Sequence, residues 1–149
     1  MMIRGDIMID NQKLLNQIMK AAQMGQDGIH AVMSRASQPA LRQALKCQRK
    51  EYVSIEQEAA NLARKQGYQM KNLHPAVRGM TAVSARSRLM GGDVNSKIAG
   101  MMIQGNTRGM IESLQNIRKC PKTDPAVAKL AQKMLETEIS NIRQMEGFL

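Results

Sequence analysis

Polar side chains interrupt the apolar helical stripes of this sequence at four points. Side chains of these types can take part in binding or catalysis inside a protein. They are Gln26, Glu51, Asn106 and Glu138, each on or beside a run of apolar residues spaced by three or four positions. A carboxylate that is buried without a partner is costly, so we expect these side chains to meet inside the fold. Carboxylates and amides that meet can bind a metal ion, or they can hydrogen-bond to one another.

The elements that must position these residues are helices. Aromatic residues make up 2% of the 149 residues, there is no tryptophan, and the chain uses Ala, Leu, Met, Gln and Lys instead. β-Proteins favour aromatic and β-branched residues, whereas these residues favour helices, so the sequence predicts an all-α fold. The apolar spacing predicts four long helices, over about 11–34, 39–66, 94–119 and 125–149.

Cap and proline residues mark the predicted helix boundaries. Asp10 is a suitable N-cap for the first helix, and Pro39 and Pro125 suit the first turns of the second and fourth. We therefore expect a tail over residues 1–9, a single domain over 10–149, and a short extra helix over 76–90. Short connections within each helix pair and a longer crossover between the pairs predict two helical hairpins.

The two predicted hairpins resemble each other in sequence. The second helix reads EYVSIEQ over 51–57 and the fourth reads EISNIRQ over 138–144, so that Glu, Ile and Gln fall in register. In the first helices, Gly25-Gln26 corresponds to Gly105-Asn106. With this arrangement the chain resembles the ferritin-like superfamily of four-helix bundles. It is similar in particular to small, uncharacterised bacterial ferritin-like domains of unknown function, over nearly the whole chain from about Asp10.

The resemblance implies which positions correspond to metal ligands. In metal-bearing members, each first helix gives a Glu and each second helix gives a Glu-x-x-His motif. The six corresponding positions here are Gln26, Glu51, Ser54, Asn106, Glu138 and Asn141. Only the two glutamates keep the expected ligand type, and both histidines are replaced.

The remaining charge favours hydrogen bonding over metal binding. A dinuclear centre needs several carboxylates to offset two divalent ions, and only two remain. We therefore predict a degenerate metal site, in which amide groups satisfy the two glutamates, with no metal or other cofactor bound. An iron or manganese protein with a carboxylate-poor site is the alternative. The sequence contains no phosphate-binding loop, dinucleotide fingerprint or specified nucleophile set, so a non-catalytic structural or protein-interaction role is favoured over an enzyme.

Two pairs of glycines flank the predicted inward amides. They are Gly25, Gly28, Gly105 and Gly109. Glycine inside a helix costs roughly 1 kcal/mol relative to alanine, so a packing reason is needed for each. We expect all four to let neighbouring helices approach closely.

The formal net charge of +10 is concentrated in the middle of the chain, where Asp93 is the only acid between Ala59 and Ile111. The predicted basic patch consists of Arg78, Arg86, Arg88 and Lys97. A solvated, solubilising surface is the favoured interpretation. Binding of a polyanion such as nucleic acid is the alternative, and the scarcity of aromatic residues then favours contacts to phosphates over base stacking.

The chain offers few indications of location or assembly. No run of about 18 apolar residues is present, so no membrane span is expected. Cys47 and Cys120 stand alone, which is typical of reduced thiols in a cytoplasm. The apolar N-terminal residues could pack on a neighbour, so a homo-oligomer, in the simplest case a dimer, or another protein partner is expected.

Overall fold

Four long helices form the protein, as the sequence predicts. The computed structural model describes residues 4–70, 89 and 91–149, and the helices are α1 (Arg4–Met33), α2 (Pro39–Lys65), α3 (Val94–Lys119) and α4 (Pro125–Glu146). These described ranges contain no strand. The all-α, four-helix prediction is therefore confirmed.

Local sequence signals account for several of the helix ends. Pro39 and Pro125 each lie in a first turn, where the missing N–H is not needed. The Asp93 carboxylate caps α3 by accepting hydrogen bonds from the backbone N–H groups of Asn95 at 3.1 Å and Ser96 at 3.3 Å. After α2, Gly67 adopts a φ of +73°, a left-handed conformation that terminates helices and favours glycine.

The first helix begins earlier than its sequence suggests. It starts at Arg4, so the expected tail over 1–9 is wrong for residues 4–9, and Asp10 lies inside the helix. The Asp10 carboxylate accepts a hydrogen bond from the backbone N–H of Lys122 at 2.8 Å instead of capping α1. One turn earlier, Asp6 forms an ion pair with the Lys122 ammonium at 3.2 Å. Contacts to the distant α3–α4 connection thus accompany this extra helical segment. The expected helix over 76–90 lies outside the described residues, apart from Leu89, whose side chain is buried.

Hydrogen bonds at the two ends of the bundle define its topology. At one end, Asn95 at the start of α3 accepts from the backbone N–H of Ser37 at 2.9 Å and donates to its hydroxyl at 2.8 Å. At the other end, the amide of Asn11 donates to Asp124 at 2.8 Å and to Gln66 at 3.2 Å. The end of α2 and the start of α3 therefore lie at opposite ends of the bundle. Accordingly, α2 and α3 run in the same direction.

The core is a column of aliphatic side chains with a polar level inside it. Fully buried apolar residues come from all four helices, and they include Leu15, Ile29, Leu41, Leu45, Ile55, Ile98, Leu130 and Met145. Buried polar side chains lie among them, and those at mid-height form the site described next. Within the described ranges, none of the four helices contains an apolar stretch that could span a lipid bilayer.

Candidate functional site

Tyr52 of α2 lies at the centre of the polar level. Its side chain is buried, and its hydroxyl oxygen is 2.7 Å from Asn106 Oδ1 of α3. The same oxygen is 3.2 Å from Glu138 Oε2 and 3.1 Å from Asn141 Nδ2, both on α4. We call these four residues the Tyr52 network. Through it, one phenol joins three helices at the level where the sequence places its inward polar groups.

Glu138 is the one carboxylic acid that is buried among the described residues, with 3% of its surface exposed. Burial raises the pKa of this carboxyl from its ordinary value of 4.5 to about 8, because a charge is poorly solvated there. Donation by Tyr52 to the ionised carboxylate opposes this shift, and the charge of Glu112 adds to it. At neutral pH, Glu138 is therefore mostly a protonated acid that can donate a hydrogen bond.

The protonated acid gives the network a consistent order of donors and acceptors. Tyr52 has one hydroxyl proton. Its oxygen lies closer to Asn106 Oδ1 than to Glu138 Oε2, so we assign the proton to the hydrogen bond with Asn106. Glu138 then donates its own proton to the Tyr52 oxygen, which also accepts from Asn141. The amide of Asn106 donates to the Met102 carbonyl at 2.7 Å. Burial, followed by the nearby Glu138 charge, raises the pKa of Tyr52, which keeps the phenol neutral.

Two of the four glycines make room for this network. A Cβ atom at Gly25 of α1 would lie 2.5 Å from the ring of Tyr52, and one at Gly109 of α3 would lie 2.8 Å from the carboxyl of Glu138. The role expected of Gly28 and Gly105 is wrong, because no described atom of another helix lies within 4 Å of a Cβ built at either position. In each hairpin, one glycine of the first helix thus accommodates one bulky polar side chain of the second.

Glu51 does not join the network, contrary to expectation. Its side chain is 46% exposed and lies 3.8 Å from the Lys133 ammonium of α4. Consecutive residues are separated by about 100° around a helix, so when Tyr52 points inward with Gln48, its neighbour Glu51 turns towards the edge of α2. Ser54 is exposed. The inward residue of this helix is therefore one position later than the family pattern predicts.

Gln26 also finds a different partner. It is half-buried on α1, and its amide donates to Glu56 Oε2 of α2. The buried Gln23 amide donates to the other oxygen of the same carboxylate at 3.4 Å. Of the six predicted site residues, the structure brings together Asn106, Glu138 and Asn141, and it adds Tyr52.

The predicted basic patch lies largely outside the described residues. Arg78, Arg86 and Arg88 are all in that part of the chain. The Lys97 ammonium donates to the Gly91 carbonyl at the start of α3. The polyanion hypothesis accordingly stays a prediction.

Comparisons with known proteins bear on the fold alone. No family model matches the chain, and no curated protein matches it in sequence. Its structure is similar to the crystal structure of a DUF305 fragment from Deinococcus radiodurans, with a TM-score of 0.72 and 14% sequence identity over 93% of each chain. This similarity agrees with the helical-bundle fold, and a likeness at this identity carries no conclusion about activity.

The donor set determines what the Tyr52 network can do chemically. It contains one carboxyl, one phenol and two amides, all neutral near pH 7 and bonded to one another. Among the described residues, no group of three or more His, Cys, Asp or Glu side chains is arranged to hold a metal ion. The sequence signal that could have identified Tyr52 is its type, because a buried tyrosine usually finds a partner for its hydroxyl.

Proposed function

We propose that this chain is a non-catalytic ferritin-like bundle with a structural or protein-interaction role, in which a hydrogen-bonded network occupies the place of a metal centre. The topology supports this proposal. Two antiparallel hairpins whose second and third helices run in the same direction are typical of ferritin-like folds. The inward positions of α3 and α4 carry Asn106 and Glu138, as the family resemblance implies.

The observation that carries the proposal is the position of the Tyr52 hydroxyl. It lies between side chains of α3 and α4 at distances of 2.7, 3.1 and 3.2 Å. A metal at this level would have to displace the proton of Glu138, and it would break hydrogen bonds that both amides already make. The local chemistry therefore favours a neutral network that ties the two hairpins together.

Apolar side chains on the outer surface support the interaction role. Ile111 and Leu114 of α3 are 48% and 44% exposed, and they lie one turn apart on the same helix. Removal of such side chains from water by a partner is favourable, because it lowers the free energy of the complex. The partner class that fits is a protein surface with apolar residues of its own.

Metal titration tests the proposal against the iron or manganese alternative. Wild-type protein and Glu138→Gln are each unfolded thermally in EDTA and with added Fe²⁺, Mn²⁺ or Zn²⁺. We expect no metal-dependent rise in Tm for either protein. A large rise in wild type that is absent from Glu138→Gln would establish a metal site and overturn the proposal.

A further inference from the structure

The second half of α3 presents an apolar face to solvent. The buried residues of this helix all lie between Ile98 and Asn106, and none is buried from Thr107 to the end of the helix. Ile111 and Leu114 are the large apolar residues that are exposed in this half. Apolar side chains that share one exposed face are typical of a surface that another protein covers.

An acid and a base flank this apolar face. Arg108 and Glu112 line a shallow depression on α3 together with Thr107 and Ile111. Both charged residues are exposed, and within the described part of the chain neither forms an ion pair within 4.0 Å. They are four residues apart with the arginine first, which is the weaker order for pairing within one helix. Their charges are therefore available to a partner.

The positions of these residues around α3 divide the face into two flanks. Successive residues of a helix are separated by about 100°, so Arg108 and Glu112 lie side by side on one flank. Thr107 and Leu114, seven residues apart, lie together on the other flank. Ile111 lies between the two flanks and is 48% exposed. The face thus has a charged flank, an apolar flank and an apolar centre.

This arrangement matches itself when two copies of α3 pack antiparallel. With a twofold axis that crosses both helices at Met110, Arg108 of one copy lies level with Glu112 of the other, and the reverse pair forms by symmetry. The same axis brings the charged flank of one copy against the charged flank of the other. On the apolar flank, Leu114 meets Thr107 of the other copy to within about 1.5 Å along the helix axis. The two Ile111 side chains meet at the centre.

Other arrangements lose the match. In a parallel pair of α3 helices, the charged flank of each copy faces the apolar flank of the other, so that Arg108 and Glu112 are covered without partners, at a cost in free energy. An unrelated protein would have to supply complementary charges and apolar residues in the same order, whereas a second copy supplies them by symmetry. The net charge of +10 on each chain opposes association, but it is screened beyond about 8 Å at physiological ionic strength.

We propose that the chain forms a twofold dimer through antiparallel packing of α3, in which Arg108 of each subunit pairs with Glu112 of the partner subunit around Ile111. The dimer rests on the protein-interaction role proposed above and names its partner as a second copy of this chain. One helix face for each subunit makes a small interface, so the expected dissociation constant is micromolar, on the order of 10 μM.

The test is sedimentation equilibrium of the full chain at physiological salt, with two charge reversals. We expect wild type to dimerise, and Arg108→Glu and Glu112→Arg each to weaken the homodimer at least about tenfold, because each sets like charges opposite one another twice. An equimolar mixture of the two variants recreates both attractive pairs, so it should associate to within about threefold of wild type. Arg143→Glu and Glu146→Arg are the matched controls on the exposed surface of α4, and both should dimerise as wild type does.

Recovery in the mixture would also show that both variants are folded. A wild type that stays monomeric up to about 1 mM would overturn the dimer, and a mixture no stronger than its components would contradict the antiparallel pairing. Variants that dimerise as tightly as wild type would equally overturn it, because the contact would lie elsewhere. The metal titration above has a separate readout: a metal-dependent rise in Tm overturns the proposed function, whereas a monomer without such a rise overturns the dimer alone.

Discussion

Replacing Glu138 by Gln should change how stability depends on pH. The pKa of this carboxyl is about 8 in the folded protein and ordinarily 4.5. The folded state holds the Glu138 proton more tightly than the unfolded state. The contribution of this proton to the free energy of unfolding is therefore complete below about pH 4.5 and is lost as pH rises towards 8. Each pH unit in that window removes about 1.4 kcal/mol, so the loss is on the order of 3 kcal/mol by pH 7 and levels off above pH 8.

Glutamine removes the titration but keeps the shape. Its amide can still donate to the Tyr52 hydroxyl, so the variant should be close to wild type in stability at pH 4.5. It should be more stable than wild type at pH 9, by up to several kcal/mol, because no charge is forced into the core.

The assay is urea unfolding followed by circular dichroism at pH 4.5, 6, 7.5 and 9, in EDTA. At each pH, the free energy of unfolding of the variant is subtracted from that of wild type. This subtraction cancels the titration of the other groups, which both proteins share. Glu146→Gln, at an exposed position of α4, is the control and should give a nearly flat difference. A flat difference for Glu138→Gln as well, or a wild type that gains on the variant as pH rises, would refute the protonated network.

Three other perturbations probe the network and the surface. Tyr52→Phe removes the hydroxyl shared by three side chains and should cost about 1–3 kcal/mol in the free energy of unfolding, measured by urea denaturation; a neutral effect would contradict the hydrogen-bond assignment. Gly25→Ala should destabilise the protein by about 1–3 kcal/mol, because the new methyl group meets the Tyr52 ring. Gly105→Ala places its methyl group in open space and should be neutral or stabilising by up to about 1 kcal/mol. Equal Tm values for the two variants would contradict the packing argument. The basic residues should act as a solubilising surface, so duplex DNA, RNA and heparin should show no saturable binding at low salt. Salt-sensitive binding would establish the polyanion alternative if reversing the charges of Arg86, Arg88 and Lys97 together weakened it.

Local signals in the sequence were enough to predict most of the helical framework. The prolines at positions 39 and 125 are recognisable without any tertiary information, and α2 and α4 begin where they indicate. The start of α1 was not predictable in this way. Asp10 has the type of a cap residue, but its partner is the backbone of Lys122, which is 112 residues away along the chain.

The candidate site was only partly predictable, because a shift of one position along a helix decides which side chain is buried. Tyr52 belongs to the apolar stripe of α2 and is buried, whereas Glu51 lies at the border of that stripe, and its inward position was expected from the family resemblance. The roles of Gly25 and Gly109 depend on side chains of other helices, which no local pattern contains. Asn106 and Glu138 lie near the centres of their stripes, and these two are buried as the pattern predicts.

The most direct test of the neutral network is the titration of the Glu138 carboxyl itself. In protein labelled with ¹³C, the chemical shift of its Cδ atom reports protonation as pH rises from 4 to 10. The network predicts a midpoint near 8 that is unchanged by added Zn²⁺, because burial disfavours the charged carboxylate by more than the hydrogen bond from Tyr52 favours it. A midpoint near 4.5, or one that falls when Zn²⁺ is added, would contradict the claim that hydrogen bonds have replaced a metal at this level of the bundle.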